Sequence, residues 1–306
     1  MFFVIIKRII ASALTLLAIV SASFFMMKFT PGGPFDSEKR PPENVRKAIE
    51  AKYHLDKPLY QQYLMYLNDL AHLDLGPSFK VAHLRVNDVI TEGIGHTLRL
   101  GAIAVSISVI FGLIIGVIAS LNHNRWIDHL VMSSAMIGIS IPNIVLAPML
   151  LLILALHYQI LPVGGLDSWK SYLLPSFCLS LFYVADIARL TRGSMLEVLS
   201  SNYVRTAHSK GLPLWRIVFF HCMKPAMIPV ISYVGPAIAG LLAGSLVIEK
   251  IFVIPGIGRQ FVDSAFARDY TMALGMIIFY CSLVIIFNTL VDISYMFLDP
   301  RIRKST

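Results

Sequence analysis

The sequence predicts an all-α integral membrane protein with six transmembrane helices. Of its 306 residues, 56% are hydrophobic and only 14% are charged, and the mean hydropathy is +0.70, which excludes a water-facing soluble domain. A helix needs about 20 apolar residues to cross a bilayer, and six stretches satisfy this requirement. They lie at about 9–29, 98–120, 130–156, 171–190, 228–249 and 271–297.

The first and third spans have features of their own. The first follows Lys7 and Arg8 as a signal peptide would, but it lacks a small-residue cleavage site, so we expect a retained helix. The third contains Pro142 and Pro148, which predict a kink or a local break.

Basic residues predict the orientation of the spans. An even number of spans returns both termini to one side, and lysine and arginine mark the cytoplasmic side. The termini, the turn near Arg125 and the segment 189–224 hold twelve basic residues, and the short loops on the other side hold four. We therefore expect both termini and the 189–224 segment to be cytoplasmic. The same distribution explains the net charge of +8 without nucleic acid.

Residues 31–95 predict an external helical segment between the first two spans. ENVRKAIEAKYHL after Pro41-Pro42 indicates one helix, and Pro58 opens a second that Gly76-Pro77 ends. The second helix carries an apolar face that we expect to pack against external helix ends, with substrate gating as the alternative. This face comprises Leu59, Tyr63, Leu67 and Leu70. The predicted organisation is a tail and first helix (1–30), an external segment (31–95) and a core of the other five spans (96–306) that contains the loop 194–224.

Two spans carry pairs of glycines four residues apart. Gly112 and Gly116 lie in the second span, and Gly240 and Gly244 lie in the fifth. Small residues at this spacing let helix backbones approach closely, so we expect helix packing here, within the chain or with a second chain.

The 194–224 segment contains residues that typically begin and end two short helices. Ser194-Met-Leu-Glu197 fits a capping box for an interfacial helix, and Ser201 or Asn202 can cap the next one. In that helix we expect an apolar face made of Tyr203, Val204 and Ala207.

A turn predicted at Gly211 ends this short helix. Gly211 is expected to be left-handed, Leu212 to fold back on the helix, and Pro213 to open the next one. The result is a stub with a basic rim, suited either to anionic lipid or to a groove in a soluble partner.

The stub also carries a family resemblance. R-T-A-x-x-x-G at 205–211 resembles the cytoplasmic EAA loop of ABC importer permeases, although Arg205-Thr206 replaces the acidic start and Pro225 lies one residue late. The resemblance covers nearly the whole chain, most closely to the B-type permease subunits of oligopeptide and dipeptide importers, those of the oligopeptide systems above all. It is carried by SFFMMKFTPGGPF, YHLDKPLYQQYLMYLNDLAHLDLGPSF, SLVIEKIFVIPGIGRQF and DPRIR.

This resemblance implies a type I permease fold and a transport function. It implies a subunit of the bacterial inner membrane that moves oligopeptides by alternating access, with a second homologous permease as heterodimer partner, two cytoplasmic ATPases and an extracytoplasmic peptide-binding protein. ATP and Mg belong to the ATPases, because the chain lacks a GxxxxGK[ST] loop, and no cofactor, metal or catalytic residue is expected in it. The residues implied in coupling to the ATPase are Tyr203, Val204, Arg205, Thr206, Ala207, Lys210, Gly211, Leu212 and Pro213.

The sequence does not identify the substrate. Dipeptides, nickel and antimicrobial peptides are alternatives on the same framework, and a proton-coupled transporter is a more distant one. An intramembrane enzyme is disfavoured, since no paired aspartates, Ser-His pair or HExxH motif occurs at membrane depth.

Two aspartates fall within predicted spans, where charge is costly. Asp186 precedes Arg189 by one turn, which predicts an ion pair, and Asp292 is expected to tie the last turn to neighbouring loops. A proton relay is the sharper alternative for both.

The loop after the fifth span resembles the outer loop of the family. Its residues are proposed to form a gate near the entrance: Glu249, Phe252, Pro255, Gly256 and Gly258. Glu249 is expected to form a salt bridge with Lys250 or Arg259, and contact with a peptide amine is the alternative.

Overall fold

A computed structural model describes residues 2–29, 56–81, 83–165 and 168–298, with side chains left undescribed at 2–5, 243–244 and 291–298. The helix predicted in ENVRKAIEAKYHL, the side chain of Asp292 and the tail from Asp299 onward lie outside these residues.

Helices make up nearly all of the described chain, with one isolated bridge between Pro77 and Arg85. A 3₁₀ turn lies at Trp169–Tyr172, and π-helical segments lie at Leu151–His157 and Ile217–Cys222. The helices are α1 (Phe2–Phe29), α2 (Leu59–Ala71), α3 (Val86–Leu121), α4 (Trp126–Ser140), α5 (Asn143–Leu150), α6 (Leu173–Leu199), α7 (Asn202–Ser209), α8 (Leu214–Arg216), α9 (Met223–Ile251), α10 (Ile257–Phe266) and α11 (Tyr270–Leu298).

The described residues contain five helices that are long and apolar enough to span a membrane, and one sharply bent pair that makes a sixth candidate. The five are Ile6–Phe29, Val86–Leu121, Trp169–Leu199, Leu214–Leu242 and Tyr270–Leu290. The expected third span is two helices, α4 and α5 with its π-helical extension, bent by 105°. Pro142 explains the break, because it holds Ile141 in an extended conformation (φ −105°, ψ 119°) that stops α4.

Helix α3 crosses the expected boundary at residue 95, because it runs unbroken for 36 residues from Val86. The first turns of α3 contain polar residues, so hydropathy did not place them in the span, but their apolar side chains pack against other helices. Val86 and Ile90 are buried in a cluster with Ile257 of α10 and Met276 of α11. The end of the external segment is therefore the beginning of a spanning helix.

Helix α2 packs against the ends of neighbouring helices, as predicted. Tyr63, Tyr66, Leu67 and Leu70 contact a cluster that α1 and α11 supply through Val20, Phe24, Leu274 and Ile278. Leu59 is 43% exposed and lies off this face. The helix ends at Ala71, before Gly76-Pro77, and the chain turns at Leu73 (φ +59°).

The loop between α2 and α3 is fixed at both ends by carboxylates. The Arg85 guanidinium donates to Asp74, which holds the pKa of that carboxyl below its ordinary value. Asp269 accepts the Ser78 hydroxyl, the Phe79 amide at 3.1 Å and the Met272 amide at 3.2 Å. It thereby caps α11 and anchors the loop to it.

The α3 glycines pack within this chain. A Cβ at Gly112 would lie 2.6 Å from the Ile187 Cγ2, and a Cβ at Gly116 would lie 2.5 Å from the Thr191 Cβ, both on α6. In α9, a Cβ at Gly240 would meet the Tyr183 hydroxyl, again on α6. The surroundings of Gly244 lie outside the described side chains. Three of the four glycines therefore serve contacts of α6 with its own neighbours.

An ion pair between a buried carboxylate and a half-buried arginine joins the start of α4 to α6. The Arg192 Nε and Nη2 each lie 2.7 Å from an oxygen of Asp128, whose side chain is 2% exposed, and the Asn124 amide donates to the same carboxylate at 3.0 Å. Such a bidentate pair fixes the relative position of the two elements.

Removing one partner of this pair is expected to be costly. Arg192→Gln leaves the Asp128 charge buried without its counter-ion, which we expect to cost about 3–5 kcal/mol. The measurement is the midpoint of thermal unfolding in detergent. The double variant Asp128→Asn with Arg192→Gln is the control, because it removes the charge and keeps the hydrogen-bonding groups. A double variant as unstable as the single one would contradict this account.

Candidate functional site

The candidate coupling stub comprises α7, the Gly211 turn and α8. Helix α6 runs directly into it, and the expected capping box at Ser194–Glu197 is wrong. Ser194 lies inside α6, and its hydroxyl donates to the Leu190 carbonyl at 2.7 Å. The helix continues because Met195 is fully buried one residue later, so tertiary packing outweighs the local capping signal. Ser201 does occupy the N-cap position of α7, but its hydroxyl donates back to Val198 at 2.6 Å.

The apolar face of the stub is turned into the chain. Val204 and Ala207 are 1% and 6% exposed. Tyr203 is 49% exposed, so the expectation that it shares this face is wrong; one position from Val204 on a helix, it lies about 100° away. The two buried residues pack in a cluster completed by Met195, Ile217, Val218, Cys222 and Ala226. Movement of the stub must therefore act on α6 and α9.

The turn after α7 forms as predicted. Gly211 has φ +75°, its amide donates to the His208 carbonyl at 2.9 Å, and the Leu212 amide donates to the Ala207 carbonyl at 3.3 Å. This is the Schellman arrangement that ends helices at a left-handed residue. Pro213 then precedes α8 at its N-cap position. No heavy atom lies within 4 Å of a Cβ built on Gly211, so the need for glycine is conformational.

The side of the stub that faces away from α6 and α9 is exposed, and we call it the open side. Tyr203, Arg205, Thr206, Lys210 and Pro213 are exposed, and Leu212 is half-buried. Leu214 and Trp215, which the sequence analysis missed, add large apolar side chains that are 49% and 56% exposed. The sequence could have indicated them, because two bulky apolar residues directly follow Pro213 outside any predicted span. The Arg216 guanidinium lies over the Trp215 ring at 5.4 Å.

The charged residues on this open side are all basic. The sequence holds no acidic residue between Glu197 and Glu249, whereas Arg205, Lys210 and Arg216 fall in the stub. An acidic groove on a protein partner, or an anionic surface, would complement it.

The predicted ion pair of Asp186 is confirmed. The Arg189 Nη2 donates to one carboxylate oxygen at 2.7 Å, and the Tyr233 hydroxyl of α9 donates to the other at 2.6 Å. The second contact was not foreseen, because Tyr233 lies on a different helix and no local spacing links it to Asp186.

The predicted salt bridge of Glu249 is wrong. The Glu249 carboxylate is fully buried and accepts the amides of Gly258 at 2.7 Å and Arg259 at 3.3 Å. Lys250 and Arg259 pair instead with Asp263. Glu249 turns inward because the free amides and positive dipole end of α10 lie there, and these stabilise a carboxylate.

The outer loop closes tightly over this carboxylate. A Cβ on Gly256 would collide with the Glu249 carboxylate, and a Cβ on Gly258 would lie 2.7 Å from the Leu246 Cα. The Ile257 amide donates to the Thr97 hydroxyl at 3.0 Å, which joins the loop to α3. Burial excludes the alternative in which Glu249 contacts a peptide amine in this conformation.

The proposed gate residues are only partly brought together. Glu249, Gly256 and Gly258 form one contact set, and Pro255 is half-buried beside them. Phe252 is 1% exposed and belongs to the main core, with Leu100, Tyr172 and Leu179 among its members. A gate at this loop remains a prediction.

Comparison with known proteins places this chain in a family. Residues 108–304 match the family model described as binding-protein-dependent transport system inner membrane component. The chain is 47% identical over 302 residues to the oligopeptide transport system permease protein OppB of Salmonella typhimurium, covering 98% of both chains. It is 45% identical over 298 residues to the dipeptide transport system permease protein DppB of Bacillus subtilis, covering 97% of both.

Solved structures agree at the level of the fold. The MetNI methionine ABC transporter, in inward facing conformations, aligns with a TM-score of 0.55 at 17% identity, over 71% of this chain and 96% of that one. An amino acid ABC transporter aligns with a TM-score of 0.52 at 17% identity, over 68% and 92%. Since the family match and the full-length relatives agree, the chain belongs to the family of inner membrane components of binding-protein-dependent transport systems.

Proposed function

We propose that the chain is the permease subunit of an ATP-driven importer that moves oligopeptides across the inner membrane by alternating access. The observation that carries this proposal is the stub. Its inner face is packed against the spanning helices through Val204 and Ala207, and its outer face is open and basic. A partner that moves the stub would move α6 and α9 with it. The full-length similarity to oligopeptide permeases supports the substrate class, and dipeptides on the same architecture are the second candidate.

The assembly follows from the same proposal. A second homologous permease lies beside this chain, two cytoplasmic ATPases hold ATP and Mg beneath it, and an extracytoplasmic binding protein delivers the peptide. This chain is the membrane component of such a system and not its ATPase. Both termini and the stub are cytoplasmic, which the distribution of basic residues supports.

Reconstitution tests this function. The chain is co-expressed with a second permease and two ATPase subunits, and the complex is placed in vesicles with the binding protein. We expect uptake of labelled oligopeptides of graded length to require ATP, the binding protein and this chain. Nickel, dipeptides and antimicrobial peptides serve as competing substrates. Uptake that a proton gradient drives without the ATPases would contradict the proposal.

The orientation gives a separate prediction. In intact spheroplasts, cysteine at Lys80 should react with a membrane-impermeant thiol reagent, and cysteine at Ser209 should react only after permeabilisation. Both positions are exposed, so accessibility reports the side of the membrane. Ser78 is 2% exposed and is unsuitable for this purpose. Labelling of Ser209→Cys from outside would overturn the topology.

A further inference from the structure

One side of α6 is left open in a helix that is otherwise enclosed. The helix packs against α3, α4, α5 and α9. From Phe182 onward its exposed residues recur at spacings of seven, four and four, which places them in one stripe. They are Phe182, Arg189, Gly193 and Glu197. The stripe is apolar toward the outer end of the helix and polar toward the stub.

Arg189 and Glu197 are the charged residues of this stripe, and Arg189 is held in place by a neighbouring carboxylate. Its side chain is 62% exposed, while that of its partner Asp186 is only 12% exposed. Asp186 uses one oxygen for Arg189 and the other for Tyr233, so the carboxylate is fully engaged. The contact recorded among the described residues uses one of the five N–H donors of the guanidinium. Arg189 therefore presents an oriented group with donors to spare.

Lipid is a poor match for this arrangement. Among the described residues, the single contact with Asp186 leaves most of the Arg189 N–H donors without an acceptor, and lipid chains offer none. Arg189 lies one turn before Arg192 on α6, and the partner of Arg192, Asp128, lies in the first turn of α4. Its tie to Asp186 holds it back toward α9, away from the headgroups. A water-filled path along the stripe accounts for an exposed and tethered guanidinium.

We propose that Arg189, positioned by Asp186 and Tyr233, binds the C-terminal carboxylate of the peptide as it moves along the open side of α6. A guanidinium pairs with a carboxylate through parallel N–H donors, and every unmodified peptide carries a terminal carboxylate. Tyr183 flanks the site, with its ring centroid 6.5 Å from that of Tyr233. This inference rests on the proposed function of peptide import.

The test uses three peptides of one length in the reconstituted complex. They are a neutral peptide with a free C-terminal carboxylate, its C-terminal amide, and an amide with one internal aspartate. The affinity of the binding protein for each is measured separately, and uptake is compared at saturation. The wild-type complex should transport the free acid at least about tenfold faster than the neutral amide. Rescue by the internal aspartate would show that any carboxylate suffices, and the stated assignment to the terminal group would then be wrong.

Substitutions in this chain test which residue distinguishes the free acid from the amide. Arg189→Gln should abolish the preference for the free acid, Arg189→Lys should keep part of it, and Asp186→Asn with Tyr233→Phe should weaken it through loss of positioning. Arg99→Gln is the matched control, since Arg99 is also an exposed arginine on a spanning helix. A preference that persists in Arg189→Gln would overturn the inference.

A second measurement does not depend on these substitutions. No heavy atom lies within 4 Å of a Cβ at Gly193, so Gly193→Cys is tolerated sterically, and it lies one turn from Arg189. Its reaction with a small water-soluble thiol reagent should be slowed during transport of the free acid and not in the presence of the amide. A thiol that is unreactive in the complex with or without peptide would identify the stripe as a permease–permease contact and contradict the inference. Failure of the wild-type complex to transport any of the peptides would instead refute the proposed function.

Discussion

Gly211→Val should leave the chain inserted and assembled while lowering peptide uptake per ATP hydrolysed by roughly tenfold. Gly211 has φ +75°, and the left-handed region costs a residue with a Cβ about 1–2 kcal/mol, more when it is β-branched. If the turn relaxes, the Leu212 amide loses the Ala207 carbonyl and Trp215 is displaced from its place on the open side of the stub. A shift of about 1.4 kcal/mol corresponds to a tenfold change in the docked population.

The control for this prediction is Gly95→Val. Gly95 lies within α3, and no heavy atom lies within 4 Å of its Cβ position, so the substitution is equally free of steric contact but meets an ordinary helical backbone. Uptake and hydrolysis are measured in the same vesicles for both variants. Equal loss in both, or normal uptake per ATP in Gly211→Val, would show that the turn has no part in coupling.

Gly116→Val is expected to prevent formation of a stable complex. The new Cβ would lie 2.5 Å from the Thr191 Cβ and 2.7 Å from the Ala188 carbonyl oxygen. A backbone oxygen on α6 cannot turn aside as a side chain can, so α3 and α6 must separate. Overpacking typically costs about 1–3 kcal/mol, and a clash with backbone falls at or above the upper end.

The yield of monodisperse complex in detergent and its thermal midpoint measure this effect. Gly116→Ala should lower the midpoint less than valine does, because it adds only the Cβ. Gly95→Val again serves as control and should retain wild-type stability. A Gly116→Val complex with an unchanged thermal midpoint would contradict the α3–α6 contact.

Features that depend on nearby residues could be predicted from the sequence. The number of spans follows from hydropathy, and the Gly211-Leu212-Pro213 turn follows from the backbone preferences of glycine and proline. The Asp186–Arg189 pair follows from helical spacing alone. Each of these signals lies within a few residues, where the chain geometry leaves few alternatives.

Contacts between distant segments could not be predicted in this way. Arg192 and Asp128 are 64 residues apart, and Tyr233 reaches Asp186 across 47. Glu249 was expected to pair with a neighbouring cation, but the amide donors at the start of α10 provide the nearer positive group. The geometry that brings α10 under Glu249 arises from packing, and one sequence does not specify it by spacing.

Packing also overrides two local sequence signals, one at the end of α6 and one in the stub. Ser194 and Glu197 have the spacing of a capping box, yet burial of Met195 carries α6 past them. Tyr203 fits an apolar face by residue type. Val204 and Ala207 pack against α6 and α9, however, and Tyr203 is not part of that cluster. Of the expected apolar face, only Tyr203 lies on the side of the stub that is left for a partner.

Cross-linking from adjacent positions of the stub tests the central claim most directly. Cysteines at Arg205 and Val204 are labelled with a photoactivatable thiol reagent during assembly, and the complex is irradiated in vesicles that are competent for transport. Arg205 is exposed and Val204 is buried within the chain. The account predicts that Arg205→Cys cross-links to the ATPase subunit with a yield that depends on nucleotide, and that Val204→Cys does not. Cross-linking of Arg205→Cys to lipid alone, in vesicles that still import peptide, would contradict it.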